Sequence, residues 1–508
     1  MLVVTLSFLL IISSFPLSVG GVPGKPPIQH VVIIVEENHT FDNYFGTYPG
    51  ANGIAGATPQ PSTNNSTTAK LVKPFMINTT TIAHDLCHDW TCAHQAYDNG
   101  SMDGFVTASN SNLTMGHFNP SLIPYYWDYA SQFVLLDNFY TPVMTASLPN
   151  HLYLIAGQSG GLVGSANAGF INFTSSNVHD NTFYFKSIVD ELDASHITWK
   201  YYAGGYYYLN NWNPLPGFAS FKSNQARMRN LAPPGQFATD VADHKLPGVS
   251  WIMPATDEES EHPPYDISSG EQDVVSIINS VMASPYWNST AIFLTWDDWG
   301  GWYDHVPPPQ VDQFGYGFRV PCLIISPYVK QGYIDHTQGD FTSILKFVET
   351  VYSLPPLASR DASANNLMEA FDFSQSPGPP LQLPGPFVSD HYPLTFPNGT
   401  LFGGATSASQ SNPATTTTTT TTTAITRVTT STAVQTITIA NTDPVTTTTT
   451  TTTAITRLAT ITGVQTITVA NAASPSSAIL VAVLLGCMVG SVLLLVPRRL
   501  GWARPGQG

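Results

Sequence analysis

The chain has 508 residues, a length that suits one large α/β domain with appended segments. Charged residues make up only 10% of it and the formal net charge is −16, so we expect no basic stripe for binding nucleic acid and no nucleic-acid partner. Aromatic residues at 11% and 40 prolines indicate a folded, loop-rich body.

The first segment is apolar from residue 2 to residue 19 and ends in small residues. Such a run resembles the hydrophobic region of a secretory signal peptide, which we place at residues 1–21. No basic segment precedes it, so an uncleaved N-terminal anchor is the competing interpretation. The folded body would then extend from residue 22 to about residue 404.

Strands and helices alternate through this domain. Val31 to Val35 is a continuous β-branched run, which is typical of a strand buried on both faces. Later strands are predicted near residues 133–139, 198–202, 249–253, 291–296 and 321–326, and helices at 121–132, from about 149, at 182–193, 237–245, 272–283 and 340–352. This alternation predicts an α/β fold with a mainly parallel sheet.

Four cysteines are present: Cys87, Cys92, Cys322 and Cys487. The first two are close enough for a local disulfide, in a segment at residues 84–104 that is dense in histidine and aspartate. The other two lie in apolar runs and are predicted to be buried thiols. The sequence contains no CxxC pair, so a zinc or redox motif is not predicted.

The composition changes after residue 404. Threonine runs accompany two copies of a repeat, AITRVTTSTAVQTITIAN at 424–441 and AITRLATITGVQTITVAN at 454–471. Two copies are too few for a solenoid, so we predict a Thr-rich, O-glycosylated stalk at residues 405–476. The segment VQTITIAN alternates like a strand, which leaves short β elements in the stalk open.

Residues 478–496 form an apolar span of about membrane length. Arginines follow it, at Arg498, Arg499 and Arg504, and positive charge favours the cytoplasmic side. We therefore predict a transmembrane helix at 477–497, a cytoplasmic tail at 498–508 and an extracellular body held at the cell membrane. N-x-S/T sequons agree with a glycosylated exterior: Asn64, Asn65, Asn78, Asn99, Asn112, Asn172, Asn288 and Asn398.

Polar residues follow two predicted strands at the points where these strands end. Glu37 and Asn38 follow the first strand, and Asp297 and Asp298 follow the strand at 291–296. In an open α/β sheet, ligands bind at the carboxyl ends of the strands, and carboxylate and amide oxygens suit a hard cation. The structural alternatives are a solvated loop at the first pair and a helix cap or turn at the second.

Ser147 lies in TASLPNH beside a predicted helix, where backbone N–H groups favour anions. That position suits a nucleophile attacking phosphorus, and an ordinary N-cap serine is the structural alternative. His262, in EHPP, and His305, in YDHVPPP, are candidates to protonate a leaving oxygen or bind a phosphate oxygen, although a single histidine is more often structural. The histidines of segment 84–104 are equally open to a site role and a structural role.

Several motifs, in order along the chain, together resemble the phosphoesterase family: VVIIVEENHTFDNYFG, MDGF, SLPNHLYLIAG, EHPP, TWDDWGGWYDHVPPP and FRVPCLIISPYV. That family includes bacterial non-haemolytic phospholipases C and a group of acid phosphatases, and it belongs to the alkaline-phosphatase-like superfamily. The resemblance covers about residues 28–351. It implies a three-layer α/β/α sandwich with a mainly parallel central sheet, and hydrolysis of phosphate esters through a covalent phospho-enzyme.

The resemblance also implies roles for particular residues. The family nucleophile, a Ser or Thr three residues before an Asn, falls on Ser147, with Asn150 following. His262 matches a family histidine near the transferred phosphoryl group, and His305 matches the YDHV pattern. A divalent cation is implied, which would be calcium, magnesium or manganese. Its ligands would be Glu37, Asn38, Asp297 and Asp298.

The sequence departs from the phospholipase pattern at two places. It reads DDWGG where phospholipase members often read DEHGG, and PNH where they read PNR. Ser147 and PNH are closer to the acid-phosphatase branch. The leading interpretation is therefore a membrane-anchored, acid-phosphatase-like phosphomonoesterase that acts through phosphoserine. The alternatives are a phospholipase C that cleaves phosphodiester head groups of phospholipids, and a non-catalytic cell-surface protein.

Overall fold

The computed structural model describes residues 25–62, 71–164, 178–179 and 182–384, together with four strands between residues 418 and 471. The chain divides into two compact units, Met1–Ala405 and Thr406–Gly508. The signal peptide, transmembrane helix and cytoplasmic tail predicted from the sequence, and Cys487, lie outside the described residues. In the part of the chain that is described, no helix is both long and apolar enough to cross a membrane.

The central strand of the first unit is β1 (His30–Glu36). Its residues 31–35 are at most 1% exposed, so both faces of the strand are covered. It pairs in parallel with a neighbouring strand on either side. Burial on both faces removes the alternation of apolar and polar residues, which explains the continuous apolar run in the sequence.

Strand β1 belongs to an eight-stranded sheet with the spatial order β4-β3-β5-β1-β6-β7-β2-β8. The other strands are β2 (Val134–Leu136), β3 (Trp199–Tyr202), β4 (Leu231–Ala232), β5 (Val249–Ile252), β6 (Thr290–Trp296), β7 (Cys322–Ile325) and β8 (Tyr333–Asp335). Within this sheet β7 alone is antiparallel to its neighbours. The predicted α/β fold with a mainly parallel central sheet is therefore confirmed, and Cys322 is a buried thiol as predicted.

Helices of the described residues alternate with these strands along the chain, and the last two follow the final strand. They are α1 (Phe41–Phe45), α2 (Trp90–Tyr97), α3 (Phe105–Ser109), α4 (Pro124–Gln132), α5 (Ser147–Ala156), α6 (Ile188–Ala194), α7 (Ala219–Lys222), α8 (Gln236–Ala242), α9 (Ile267–Met282), α10 (Phe341–Tyr352) and α11 (Ser359–Ser363). Helices α4 and α8 contact α9, whereas α10 contacts α5 and α11. These six helices thus form two groups, as a sheet buried on both faces requires.

Short two-stranded ladders accompany the main sheet: Gln60–Pro61 with Leu71–Val72, Phe75–Met76 with Gly116–His117, Phe139–Tyr140 with Gly339–Asp340, and Val178–His179 with Thr182–Phe183. The last of these shows that the helix predicted at 182–193 was wrong in its first half. Helix α6 begins only at Ile188, where Ser187 and Asp190 form a capping box. A capping box fixes where a helix starts, and the sequence prediction overlooked it.

The second unit contains a sheet of four described strands. In spatial order they are Thr418–Thr422, Thr448–Thr456, Thr432–Asn441 and Thr466–Asn471. The last two lie within the two copies of the repeat and pair with each other in parallel, with Ile437 opposite Ile467. The short strands that the alternating pattern left open are therefore present.

Candidate active site

The carboxyl ends of β1 and β6 bring two predicted polar pairs together. The strands are in parallel register with Glu36 beside Trp296, and the Asp297 amide donates to the Glu36 carbonyl oxygen at 2.8 Å. Asn38 has a left-handed backbone with φ +66°, and its backbone N–H donates to Asp297 Oδ1 at 3.0 Å. Glu37, Asn38 and Asp297 are therefore neighbours at one edge of the sheet.

Ser147 reaches the same edge as the first residue of helix α5. Its hydroxyl donates to Asp298 Oδ2 at 3.3 Å, and the other oxygen of Asp298 accepts from the Gly300 amide at 2.7 Å. Gly300 has φ +57°, and a Cβ there would lie 2.1 Å from the Asn38 carbonyl oxygen. The turn therefore needs glycine, and it sets Asp298 beside Ser147.

Asn150 holds the segment that leads into Ser147. Its side-chain oxygen accepts from the Val143 amide at 3.1 Å. Its side-chain nitrogen lies 3.5 Å from the Thr145 carbonyl oxygen and 3.4 Å from that of Ala146, and donates to both. These contacts make Asn150 a residue that positions Ser147 through the backbone.

The site concentrates buried carboxylates. Glu37, Asp297 and Asp298 are at most 3% exposed. Burial, followed by the charges of Asp297 and Asp298, raises the pKa of Glu37 well above its usual range. Burial and Asp297 likewise raise the pKa of Asp298. Carboxylates that repel one another in this way are stabilised by a cation bound between them.

Several buried polar atoms at this edge have no hydrogen-bond partner among the described residues. They are Oε1 of Glu37, Oδ1 and Nδ2 of Asn38, Oδ2 of Asp297 and both ring nitrogens of His151. Buried polar groups are nearly always paired, so these atoms call for a ligand. Ligand atoms of Glu37, His151 and Asp297 lie within 4.8 Å of one another. The residues therefore fit the divalent cation that the sequence implied.

His151 is a residue of the site that the sequence patterns did not identify. It lies on α5 four residues after Ser147, a spacing that puts both side chains on one face of the helix. Its Nε2 is 3.7 Å from Asp297 Oδ2. Burial lowers the pKa of His151 to about 4, so the imidazole is neutral at physiological pH. The spacing from the serine was the signal that could have identified it.

His262 belongs to a second group of side chains, together with Asp85 and His88. Their ligating atoms lie within 4.8 Å of one another, and the rings of His88 and His262 meet edge to face with centroids 5.7 Å apart. After burial and Asp297, Asp85 also raises the pKa of Asp298. The charge of Asp85, a member of this second group, thus acts on a carboxylate beside Ser147.

Glu261, which precedes His262, is fixed by three donors. The Tyr44 hydroxyl at 2.7 Å and the Trp296 indole nitrogen at 2.8 Å donate to its Oε2, and the Tyr126 hydroxyl donates to its Oε1. Burial raises the pKa of Glu261 to about 7. An anchored carboxylate at this position holds the backbone from which His262 projects.

The segment 84–104 is tied by the predicted disulfide between Cys87 and Cys92. Trp299, from the DDWGG motif, is buried and its indole nitrogen donates to the His88 carbonyl oxygen at 3.0 Å. Trp299 therefore supports the segment that carries His88, and its contacts are structural.

The structure places His305 in a different group from Ser147. Its Nδ1 lies 2.7 Å from Asp42 Oδ2 and its Nε2 lies 3.2 Å from Asn52 Oδ1. Asp42 also pairs with the buried side chain of Arg319. The contacts of His305 are thus those of a buried ion cluster, which gives the YDHV pattern a structural explanation, and its catalytic role stays a prediction.

A buried serine at a helix start, beside carboxylates and imidazoles at the carboxyl edge of a parallel sheet, defines a hydrolase site suited to phosphoryl transfer. Residues 28–355 match the phosphoesterase family, and the chain belongs to that family. It is 30% identical over 427 residues to phospholipase C A of Mycobacterium tuberculosis, with 70% of this chain and 80% of that protein covered.

Similar proteins occur beyond mycobacteria. The chain is 27% identical over 411 residues to non-specific phospholipase C1 of Arabidopsis thaliana, with 69% of this chain and 72% of that protein covered. A solved structure of an alkaline phosphatase superfamily protein from Vibrio parahaemolyticus is 12% identical, with 68% of this chain and 70% of that chain covered and a TM-score of 0.34. The family shows that the protein is a hydrolase of phosphoric esters, as predicted.

Proposed function

We propose that the protein hydrolyses phosphoric esters by attack of Ser147 Oγ on phosphorus, with phosphoserine as the intermediate. The observation that carries the proposal is the hydrogen bond from Ser147 to Asp298 at 3.3 Å. Ser147 is also the first of the 10 residues of helix α5. The free N–H groups and the dipole at a helix start favour the negative charge of a phosphoryl group.

The first step makes the bond from Ser147 to phosphorus and breaks the bond to the leaving oxygen on the opposite side. Asp298 accepts the hydrogen bond of Ser147, so it orients the attacking oxygen, takes up its proton as the bond to phosphorus forms and returns that proton when Ser147 is released. A divalent cation held by the predicted ligands would stabilise the serine alkoxide and offset the charge of the phosphoryl oxygens. The predicted ligands are Glu37, Asn38, Asp297 and Asp298.

His262 is the proposed proton donor to the leaving oxygen. Its Nδ1 lies 2.5 Å from the Pro263 carbonyl oxygen, which only accepts, so Nδ1 carries a hydrogen. Nε2 is then the atom that takes up a proton and gives it to the leaving group. In the second step water attacks the phosphoserine, which releases the phosphate group and restores Ser147.

We propose a phosphodiester head group of a phospholipid as the substrate, because the similar proteins of Mycobacterium and Arabidopsis are phospholipases C. A phosphomonoester is the second candidate, favoured by PNH where phospholipases often read PNR. The other departure, Trp299 in DDWGG, says little about the substrate, because its indole nitrogen donates to the backbone of the segment 84–104.

Two chromogenic substrates that share a leaving group, p-nitrophenyl phosphate and p-nitrophenylphosphocholine, test the proposal on the full chain. We expect the diester to have a kcat/KM at least about tenfold higher than the monoester, and both activities to fall when a chelator removes the metal. The opposite ratio would establish the monoesterase. A folded, metal-supplied protein that hydrolyses neither compound nor phosphatidylcholine would contradict both candidates.

We further propose that the C-terminal segment anchors the catalytic domain outside the cell. The apolar span at 478–496 and the arginines that follow it support this proposal. The full chain should then stay with membranes during alkaline carbonate washing, and protease added to intact cells should release active catalytic domain. Recovery of the full chain in the carbonate supernatant would contradict the anchor.

A further inference from the structure

His151 is a buried histidine with no hydrogen bond at either ring nitrogen. Its side chain is 1% exposed, and neither Nδ1 nor Nε2 has a partner among the described residues. A neutral imidazole always carries one N–H donor and one acceptor. Leaving both unpaired in the interior costs free energy that no contact of His151 recovers.

A second buried histidine of the same region shows what a structural imidazole looks like in this protein. His39 is 0% exposed, yet its Nδ1 lies 2.6 Å from Asn43 Oδ1 and its Nε2 lies 3.3 Å from the Glu261 carbonyl oxygen. Each ring nitrogen of His39 thus faces a polar protein atom, and whichever nitrogen carries the hydrogen has an acceptor within the protein. His151 lacks such partners, so its position calls for a ligand outside the protein.

The atoms that face His151 identify the ligand chemistry. Nε2 lies 3.7 Å from Asp297 Oδ2, an oxygen that itself has no hydrogen-bond partner. Glu37 completes a group in which all three ligating atoms lie within 4.8 Å of one another. Two ligands that bind one ion at about 2.1 Å and meet at 90° to 120° are about 3.0 to 3.6 Å apart. The observed 3.7 Å is close to the upper end of this range, so the two atoms are spaced to share one cation.

We propose that His151 is a nitrogen ligand of the cation at this site, and that the site therefore selects a transition metal such as Mn²⁺, Fe²⁺ or Zn²⁺ over Ca²⁺. Imidazole suits first-row transition ions, whereas calcium takes oxygen ligands almost exclusively. The inference rests on the proposed function in one respect: the cation that His151 binds is the same cation that would assist Ser147. It goes beyond the four oxygen-bearing ligands that the sequence implied.

Metal binding by the full chain tests this inference without any measurement of turnover. Purified protein is stripped of metal, loaded with one equivalent of Mn²⁺ and examined by pulsed EPR for coupling to an imidazole nitrogen. We expect the coupling in the wild-type protein and its loss in His151→Gln. We also expect the affinity for Mn²⁺ to fall about tenfold or more in that variant, while the affinity for Ca²⁺ changes by much less.

The control is His336→Gln, because His336 is 65% exposed and contacts Asp137. This variant should keep both the nitrogen coupling and the Mn²⁺ affinity. His151→Asp, which retains a ligating group, should bind Mn²⁺ without nitrogen coupling and provides the comparison if the glutamine variant does not fold. Coupling that persists in either His151 variant, or a wild-type protein that prefers Ca²⁺, would overturn the inference.

The outcome is separable from that of the proposed function. If the protein shows His151-dependent nitrogen coupling but hydrolyses no phosphoric ester, His151 remains a metal ligand and the proposed mechanism is wrong. A protein that forms phosphoserine at Ser147 without nitrogen coupling would keep the mechanism and refute the ligand.

Discussion

Ser147→Ala should lower kcat for phosphoric esters by a factor of about a thousand or more. The loss follows because Oγ is the only atom of the residue that can bond to phosphorus, and alanine leaves Oδ2 of Asp298 without its donor. Ser147 is 5% exposed, and the change removes one oxygen at the first position of α5, so we expect little loss of stability. Steady-state kinetics with the diester substrate measures the effect.

The control for this variant is Ser280→Ala. Ser280 lies on α9, and its hydroxyl donates to the Ile277 carbonyl oxygen at 2.7 Å, away from the carboxylates of the site. Its removal should leave kcat unchanged. Wild-type protein quenched with acid during turnover should yield a phosphorylated peptide that spans residue 147. If Ser147→Ala keeps a tenth or more of the wild-type rate, or if the phosphorylated peptide comes from another segment, Ser147 is not the nucleophile.

Much of this site could be predicted because a parallel sheet brings distant residues to one edge. The buried run of β1 marks a central strand, and the polar residues directly after β1 and β6 must then lie together. Glu37, Asn38 and Asp297 are neighbours for this reason. Ser147 was identified by family resemblance, and its bond to Asp298 spans 151 residues of sequence, so no local pattern could have predicted that contact.

The parts that could not be predicted depend on packing partners. The segment SLPNHLYLIA reads as an ordinary buried helix, and its 10 residues are indeed all buried. The spacing from Ser147 could have marked His151 as a residue of the site, but its role as a ligand depends on nitrogens that lack partners, which sequence does not reveal. His305 was a predicted site residue, but its ring is hydrogen-bonded to Asp42, a residue 263 positions away. The same residue type thus belongs to a site or a core according to its neighbours.

The ion cluster around Arg319 joins two segments of the chain. One follows β1 and the other follows β6, the two strands that lead into the site. The Arg319 guanidinium donates to Asp304 through Nε at 2.9 Å and Nη2 at 3.1 Å, and to Asp42 at 3.0 Å. Asp42 lies on α1, directly after β1, and Asp304 follows β6. The strands that carry the predicted cation ligands are therefore held together a few residues beyond those ligands.

Arg319→Met should lower the free energy of unfolding by roughly 3 to 5 kcal/mol. Arg319 is 0% exposed, so its loss leaves two buried carboxylates without their cation, while methionine fills part of the volume. Urea unfolding at neutral pH measures the loss, and the exposed Arg229 provides the control as Arg229→Met. A variant as stable as the wild type would show that Asp42 and Asp304 are compensated by other groups.

The destabilisation in Arg319→Met should shrink as the pH falls. Burial raises the pKa of Asp304, and Arg319 opposes that rise. Without the arginine the pKa of Asp304 rises further, so the folded variant binds a proton at a higher pH than the folded wild type does. Stability increases towards low pH wherever the folded state binds more protons than the unfolded state. The difference in free energy of unfolding between the wild type and the variant therefore becomes smaller as the pH falls. A difference independent of pH would mean that lost packing, rather than uncompensated charge, causes the destabilisation.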